Sequence, residues 1–152
     1  MSKAAIHSCT RDISIWMKTN KLKLNDEKTD LLVLTARQRP PPSIESIVVG
    51  SKNICPSESV NNLGTIFDKT LTMDQQVSAV CKSGLFHLRN IARIKKHLSF
   101  RIQSSQVLIH AFITSKLDYC NSLYHGLPDY LIQKLQYVQN SAARLLTGSC
   151  KI

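Results

Sequence analysis

Residues 15–34 read IWMKTNKLKLNDEKTDLLVL, and this stretch decides the fold because its hydrophobic period changes along its length. Around its start, Ile13, Trp16 and Met17 recur at three- and four-residue spacing, which predicts one face of a helix. The leucines that follow alternate with lysines, a polar turn bears Lys28, and the stretch closes on strand-forming residues. It therefore predicts a helix, a turn and a strand that returns to the core.

The net charge of the chain is concentrated in one block. Of 152 residues, 43% are hydrophobic and 20% are charged, which is typical of a globular protein about one domain long. Twenty Lys and Arg against ten Asp and Glu give a net charge of +10. Residues 81–116 hold seven of the basic side chains and no acidic one. This concentration of positive charge favours a polyanionic partner. Nucleic acid is preferred over a membrane because neither end of the chain is a strongly amphipathic basic helix.

The cysteines are five in number, widely spaced, and form no C-x-x-C motif. They indicate neither a disulfide framework nor a zinc site, so reduced and mostly buried thiols are expected. The N-terminus lacks the apolar run of a signal peptide, and no segment approaches the length of about 18 apolar residues that a membrane span needs. We therefore expect a cytoplasmic or nuclear protein that is not secreted and has no membrane partner. The cysteines are Cys9, Cys55, Cys81, Cys120 and Cys150.

Turn-forming residues divide the remainder of the first half. Residues 37–43, RQRPPPS, predict an exposed connector, with a proline-rich ligand site as the alternative. Residues 46–55 contain two short apolar runs on either side of Gly50, which predicts a hairpin. Residues 60–68, VNNLGTIFD, predict a strand in which Gly64 marks a bulge or the close approach of another backbone, either of the protein or of a ligand.

From Thr72 onward the apolar spacing is helical, with residues 99–105 separating a first helix from a second. The predicted apolar positions are Val77, Val80, Cys81, Leu85, Leu88, Ile91 and Ile94 in the first helix, Val107, Leu108, Ala111, Phe112 and Leu117 in the second, and Leu131, Leu135, Val138, Ala142 and Leu145 in the third. The predicted fold class is therefore α+β. Residues 1–70 form a helix–strand with a β-hairpin, and residues 71–152 form a bundle of about three helices.

The residues by themselves indicate no active site. No pair of acids converges as two-metal catalysis requires, the five histidines are scattered, and no glycine-rich phosphate motif is present. We therefore expect no metal site and no cofactor in this chain.

The basic block has an ordered face. Arg89, Arg93 and Lys96 stand at i, i+4 and i+7, which places them on one side of a helix. Such a face binds phosphate backbones through counterion release, with little sequence preference. The alternative is a solvated face that keeps the protein soluble, and the lack of acids across the block favours the nucleic-acid surface. The candidate residues are Lys82, Arg89, Arg93, Lys95, Lys96 and Arg101.

Four segments resemble, in order, the C-terminal part of the reverse transcriptase of LINE-type (non-LTR, jockey-like) retrotransposons. They are ISIWMKTNKLKLNDEKTD (13–30), NNLGTIFD (61–68), LDYCNSLYHGLP (117–128) and LQYVQNSAARL (135–145), and together they span nearly the whole chain. The resemblance implies part of an RNA-directed DNA polymerase, with residues 1–70 as a palm remnant and residues 71–152 as a thumb-like segment.

The resemblance also implies roles for particular residues. Lys28 matches the lysine of the family's motif D, which approaches the incoming triphosphate. Asn62, Leu63 and Gly64 lie in residues 61–68, which look like the primer-grip hairpin, and the helices look like the part that holds an RNA or DNA template–primer duplex. The family's catalytic aspartates, which bind Mg²⁺, have no counterpart in this sequence.

We therefore expect a truncated fragment that is not an enzyme, needs no cofactor and retains non-specific nucleic-acid binding. Its uncovered palm edge would permit self-association. The alternative is a helical module for protein–protein interaction with no nucleic-acid role.

Overall fold

The computed structural model describes residues 3–39, 44–50, 52–95, 97 and 101–149. Most of the predicted proline-rich connector, residues 40–43, lies outside these ranges. The chain divides into two compact units, Met1–Leu71 and Thr72–Ile152. Helix and short strands make up the first, and the second is helical, so the predicted α+β class is confirmed. The predicted boundary after residue 70 falls next to this division.

The first unit begins with helix α1, Lys3–Thr19. Ile6 packs against the core of this unit, whereas Ile13 and Trp16 are 46% and 61% exposed. The predicted polar turn is a 3-10 helix at Asp26–Lys28, where the side chain of Asn25 accepts a hydrogen bond from the backbone N–H of Glu27 at 3.1 Å. The strand that follows, β1 (Leu31–Leu32), is short and pairs in parallel with β4 (Pro56–Ser57).

The predicted hairpin around Gly50 is confirmed. Strand β2 (Ile47–Val49) pairs antiparallel with β3 (Lys52–Ile54), and Gly50 has a φ of +59°. A Cβ added at Gly50 would collide with the carboxylate of Asp26, so the hairpin and the polar turn approach closely here. The ion pair between Lys52 Nζ and Glu27 Oε2, at 3.0 Å, joins the same two elements. The core beneath them is formed by Ile47, Val49 and Ile54.

The prediction of a single strand over residues 60–68 is wrong. The segment is a second hairpin, in which β5 (Ser59–Asn62) pairs antiparallel with β6 (Thr65–Asp68). Leu63 and Gly64 have φ values of +50° and +85°, so both central residues of the two-residue turn lie in the left-handed region and the chain reverses. Among the described residues, no atom lies within 4 Å of a Cβ added at Gly64. The glycine therefore marks a turn, not a bulge or the close approach of another described part of the chain, and the approach of a ligand stays a prediction.

The second unit is a bundle of three helical segments, as predicted. The first is α2 (Asp74–Lys95). The second runs through α3 (Arg101–Ile109), a π-helical turn (His110–Thr114) and α4 (Ser115–Asp118). After a 3-10 turn at Asn121–Tyr124, the third is α5 (Asp129–Thr147), which ends at Gly148 with a φ of +71°.

Helices α2 and α5 pack closely because Gly84 has no side chain. A Cβ at Gly84 would lie 2.8 Å from Cγ1 of Val138. Most apolar positions predicted on these two helices face the core. Ile94 is 45% exposed, and Val80 is half-buried and belongs to neither core group. The buried core residues are Leu88, Ile91, Ile109, Ile113, Val138, Ala142 and Leu145, with a second group of Val77, Tyr124 and Leu131.

The second helical segment differs from its prediction. Helix α3 begins at Arg101, inside the predicted separator of residues 99–105, and Ser105 is fully buried in it. Val107 and Phe112, predicted to face the core, are 68% and 44% exposed, and Ala111 is exposed as well. Ile109 and Ile113 are buried instead. For Phe112 the physical reason is the π-helical turn, whose i→i+5 bonding widens the winding. Val107 precedes that turn and stands two residues from both Ser105 and Ile109, which places it on the opposite side of a regular helix.

The expectation that the thiols are mostly buried is also wrong. Cys9 and Cys55 are exposed, and Cys81 and Cys120 are half-buried. Cys150 lies outside the described residues.

Candidate nucleic-acid interface

Helix α2 carries a row of cations along one exposed face. Lys82, Arg89 and Arg93 are all exposed. At 3.6 residues per turn, positions 89 and 93 lie within about 20° of position 82 around the helix axis. Lys96, predicted to continue the row, lies outside the described residues. Arg101 begins α3, and its side chain is likewise outside the described part of the chain.

Lys95 stands apart from this row. Its side chain is half-buried, and its Nζ donates a hydrogen bond to the backbone carbonyl of Leu145 in the last turn of α5. A cation at the C-terminal end of a helix pairs with carbonyls that have no partner within the helix. In this structure Lys95 therefore fixes the end of α5 against α2.

An aromatic side chain lies within the row of cations. Phe86 is 58% exposed, and it stands one helical turn after Lys82 and one turn before Arg89. Its position falls outside the apolar stripe of α2, so burial in the core does not account for it. The sequence prediction counted only the charged residues of this block and missed Phe86. The signal was available in the sequence. Phe86 is an apolar residue outside the helical stripe, with basic residues at i−4 and i+3.

Phe86 belongs to a group of three rings. Its ring meets that of His87 edge-on, with centroids 5.4 Å apart and planes at 75°. His87 in turn stacks on Phe112 at 5.2 Å and 23°. Phe112 lies in the π-helical turn and is 44% exposed. The rotation of that turn therefore brings an aromatic ring out of the core and beside α2.

Lys116 adds a fourth cation on the side of Phe112. It lies one turn after Phe112, and its Nζ donates a hydrogen bond to Oγ of Ser83 at 2.7 Å. The basic–aromatic face is defined as Lys82, Phe86, Arg89 and Arg93 of α2 together with His87, Phe112 and Lys116.

Little acidic charge opposes this face. Residues 72–152 contain ten Lys and Arg and three Asp. Asp74 accepts hydrogen bonds from the hydroxyl of Tyr130 on α5, and Asp129 lies at the start of α5. Asp118 lines a cavity against α5, together with Ile132 and Gln136. The three carboxylates therefore lie next to α5, and the excess of basic residues makes the net charge of this unit positive.

The predicted site residues of the first unit lie on two different elements. Lys28 is exposed in the 3-10 turn before β1. Asn62, Leu63 and Gly64 form the tip of the β5–β6 hairpin, where Leu63 is 85% exposed. The roles that the family resemblance implies for these residues stay predictions.

Two titratable groups of the second unit, Cys81 and Tyr124, have displaced pKa values. Burial raises the pKa of the Cys81 thiol, and the nearby Lys134 opposes this shift. Burial also raises the pKa of Tyr124. Across the described ranges, no group of three or more His, Cys, Asp or Glu is placed to hold a metal ion, and no helix is long and apolar enough to cross a membrane. The basic–aromatic face thus offers a ligand positively charged side chains and exposed aromatic rings.

Comparisons with known proteins add no relative. No protein-family model matches this chain, and no curated protein or solved structure matches it either. Its function is therefore argued from the residues of the site and their chemistry.

Proposed function

We propose that this chain binds nucleic acid, with little preference for base sequence, through the basic–aromatic face. The observation that carries the proposal is the row of Lys82, Arg89 and Arg93 on one exposed side of α2, in a unit whose three carboxylates lie next to α5. Phosphate contacts of this kind supply affinity through counterion release and carry no sequence information.

In keeping with the resemblance, we propose that the second unit is the thumb-like part of a LINE-type reverse transcriptase and holds an RNA or DNA template–primer duplex. A hairpin at 59–68 followed by a three-helix bundle with a basic face is the order of elements that the resemblance implies. The aspartates that would bind Mg²⁺ are not among these 152 residues, so we assign the chain no polymerase activity and no cofactor. The proposed compartment is the cytoplasm or the nucleus, where such a duplex is found.

The test is fluorescence anisotropy with a labelled RNA–DNA duplex at several salt concentrations. We expect the wild-type protein to bind weakly and to lose affinity steeply as salt rises. The variant Arg89→Glu/Arg93→Glu should lose most of the binding, and its log–log salt slope should fall by about two. The matched control is Lys134→Glu/Arg144→Glu, which makes the same change of net charge at exposed positions on α5. Equal loss of affinity in both variants would refute the assignment of the surface.

The second candidate function is protein–protein interaction, and the exposed apolar side chains of α1 favour it. Ile13, Ile15 and Trp16 are 46%, 56% and 61% exposed. Exposed apolar groups of this size are common in surfaces that bind another protein or a second copy of the chain. Light scattering on a size-exclusion column and retention on immobilised nucleic acid distinguish the two functions. A stable dimer that is not retained on nucleic acid would favour this function over the first.

A further inference from the structure

We infer that the basic–aromatic face also takes a single-stranded stretch next to the duplex, with an unpaired base stacked on the ring of Phe86. This inference rests on the proposed function and names its ligand more closely. It starts from the three-ring group of Phe86, His87 and Phe112, which the phosphate contacts alone leave without a role.

The ring of Phe86 is held in place and yet open. His87 meets it edge-on and is itself stacked on Phe112, so the orientation of Phe86 is supported from one side. More than half of Phe86 remains accessible, at 58%. A ring that is supported on one edge and open elsewhere is a preorganised platform for a flat, apolar partner.

The cations around the ring select the class of that partner. Lys82 precedes Phe86 by one turn, and Arg89 and Arg93 follow it by one and two turns. A ligand that satisfies both features needs a flat π-system flanked by regularly spaced negative charges. Single-stranded nucleic acid has this composition, since its bases stack on aromatic side chains while its phosphates follow a basic groove.

A duplex does not satisfy the ring in the same way. Its bases are stacked on one another and present only their edges in the grooves. Their faces reach a protein ring only when the base leaves the stack or is unpaired from the start. A duplex on this face would use the cations and leave Phe86 exposed, so the ring distinguishes the two forms of ligand.

The experiment measures anisotropy with three labelled probes of equal length: oligothymidine, a strand of abasic units, and a blunt duplex. We expect Phe86→Ala to weaken oligothymidine binding about tenfold and to leave the abasic strand and the duplex unchanged. The salt slope should not change, because no charge is removed. Phe86→Leu should lose affinity like Phe86→Ala, and Phe86→Trp should retain it, since only tryptophan keeps a stacking surface.

The matched control is Tyr137→Ala on α5, where the tyrosine is 56% exposed. It should leave all three affinities unchanged. Oligothymidine affinity that is the same in all Phe86 variants overturns the inference while the proposed function stands. A loss in Phe86→Ala that is equal for all three probes also overturns it, because the ring would then act by holding the helix surface. If the wild-type protein binds none of the probes, both the proposed function and this inference are overturned. The same holds if polyglutamate, a polyanion without bases, binds as tightly as oligothymidine.

Discussion

Replacing Gly84 with alanine has two opposite effects on stability, one from helix propensity and one from packing against Val138. In the interior of a helix such as α2, alanine is favoured over glycine by about 1 kcal/mol. The new methyl group would, however, lie 2.8 Å from Cγ1 of Val138. Overpacking of this kind costs about 1–3 kcal/mol, and a β-branched side chain in a helix has little freedom to turn away. We therefore expect Gly84→Ala to lower the free energy of unfolding by about 1 kcal/mol.

The sign of the effect should reverse when Val138 is shortened. Val138 is fully buried, and Val138→Ala alone should cost about 2 kcal/mol through the two lost methyl groups and the cavity they leave. With Cγ1 gone, the alanine at position 84 meets open space and its helix preference is unopposed. In that background Gly84→Ala should stabilise the protein by up to about 1 kcal/mol.

Urea unfolding of the wild type, Gly84→Ala, Val138→Ala and the double variant measures the coupling between the two positions directly. Unfolding is followed by far-ultraviolet circular dichroism. The control is Ala79→Gly at an exposed position of α2, which should cost about 1 kcal/mol in both backgrounds. If Gly84→Ala changes the stability by the same amount with Val138 and with Ala at position 138, the close approach of α2 and α5 described above is not what requires glycine here.

Two further predictions concern a buried hydroxyl and a strained turn. Burial raises the pKa of Tyr124 above its ordinary value of 10.0, so its contribution to stability is intact below pH 10 and is lost as the pH rises towards the folded-state pKa. Tyr124→Phe, which removes the ionisable hydroxyl, should therefore remove part of the alkaline loss of stability in urea titrations. Gly50→Ala should destabilise the first unit by more than Gly64→Ala, because both positions have positive φ but only Gly50 also meets the carboxylate of Asp26. Amide hydrogen exchange of the strands measures the difference, and equal loss of protection in the two variants would contradict it.

The parts of the fold that follow from local chemistry could be predicted from the sequence. The stripe of Leu131, Leu135 and Val138 has the period of an α-helix, and α5 is one. A glycine between two short apolar runs indicated the β2–β3 hairpin. The residues alone indicated one strand over 60–68, and only the family resemblance implied the second hairpin, because leucine is an unusual residue at a positive φ and Leu63 gave no turn signal.

The candidate site could be predicted only in part. Helical spacing predicted that Arg89 and Arg93 share one face of α2, and both are exposed, with Lys82 on the same side. The position of the Lys95 side chain depends on where α5 ends, because Lys95 bonds to the carbonyl of Leu145. This contact between helices cannot be predicted from residue spacing along α2. Phe112 was assigned to the core because a regular α-helix was assumed through residue 110, and the π-helical turn breaks that assumption.

That π-helical turn makes the second helical segment sensitive to its length as well as to its composition. A turn of this type accommodates one residue more than a regular α-helical turn, so it acts as an insertion that the helix absorbs without ending. Deleting a single residue at 110 or 111 would remove the wide turn and restore regular winding, and the residues after it would keep the faces that they now present. Phe112, which lies inside the turn, would then lose the winding that brings its ring beside His87, while the apolar residues on both sides kept their chemical nature. The winding of this helix is therefore a determinant of surface chemistry that no single substitution can reproduce.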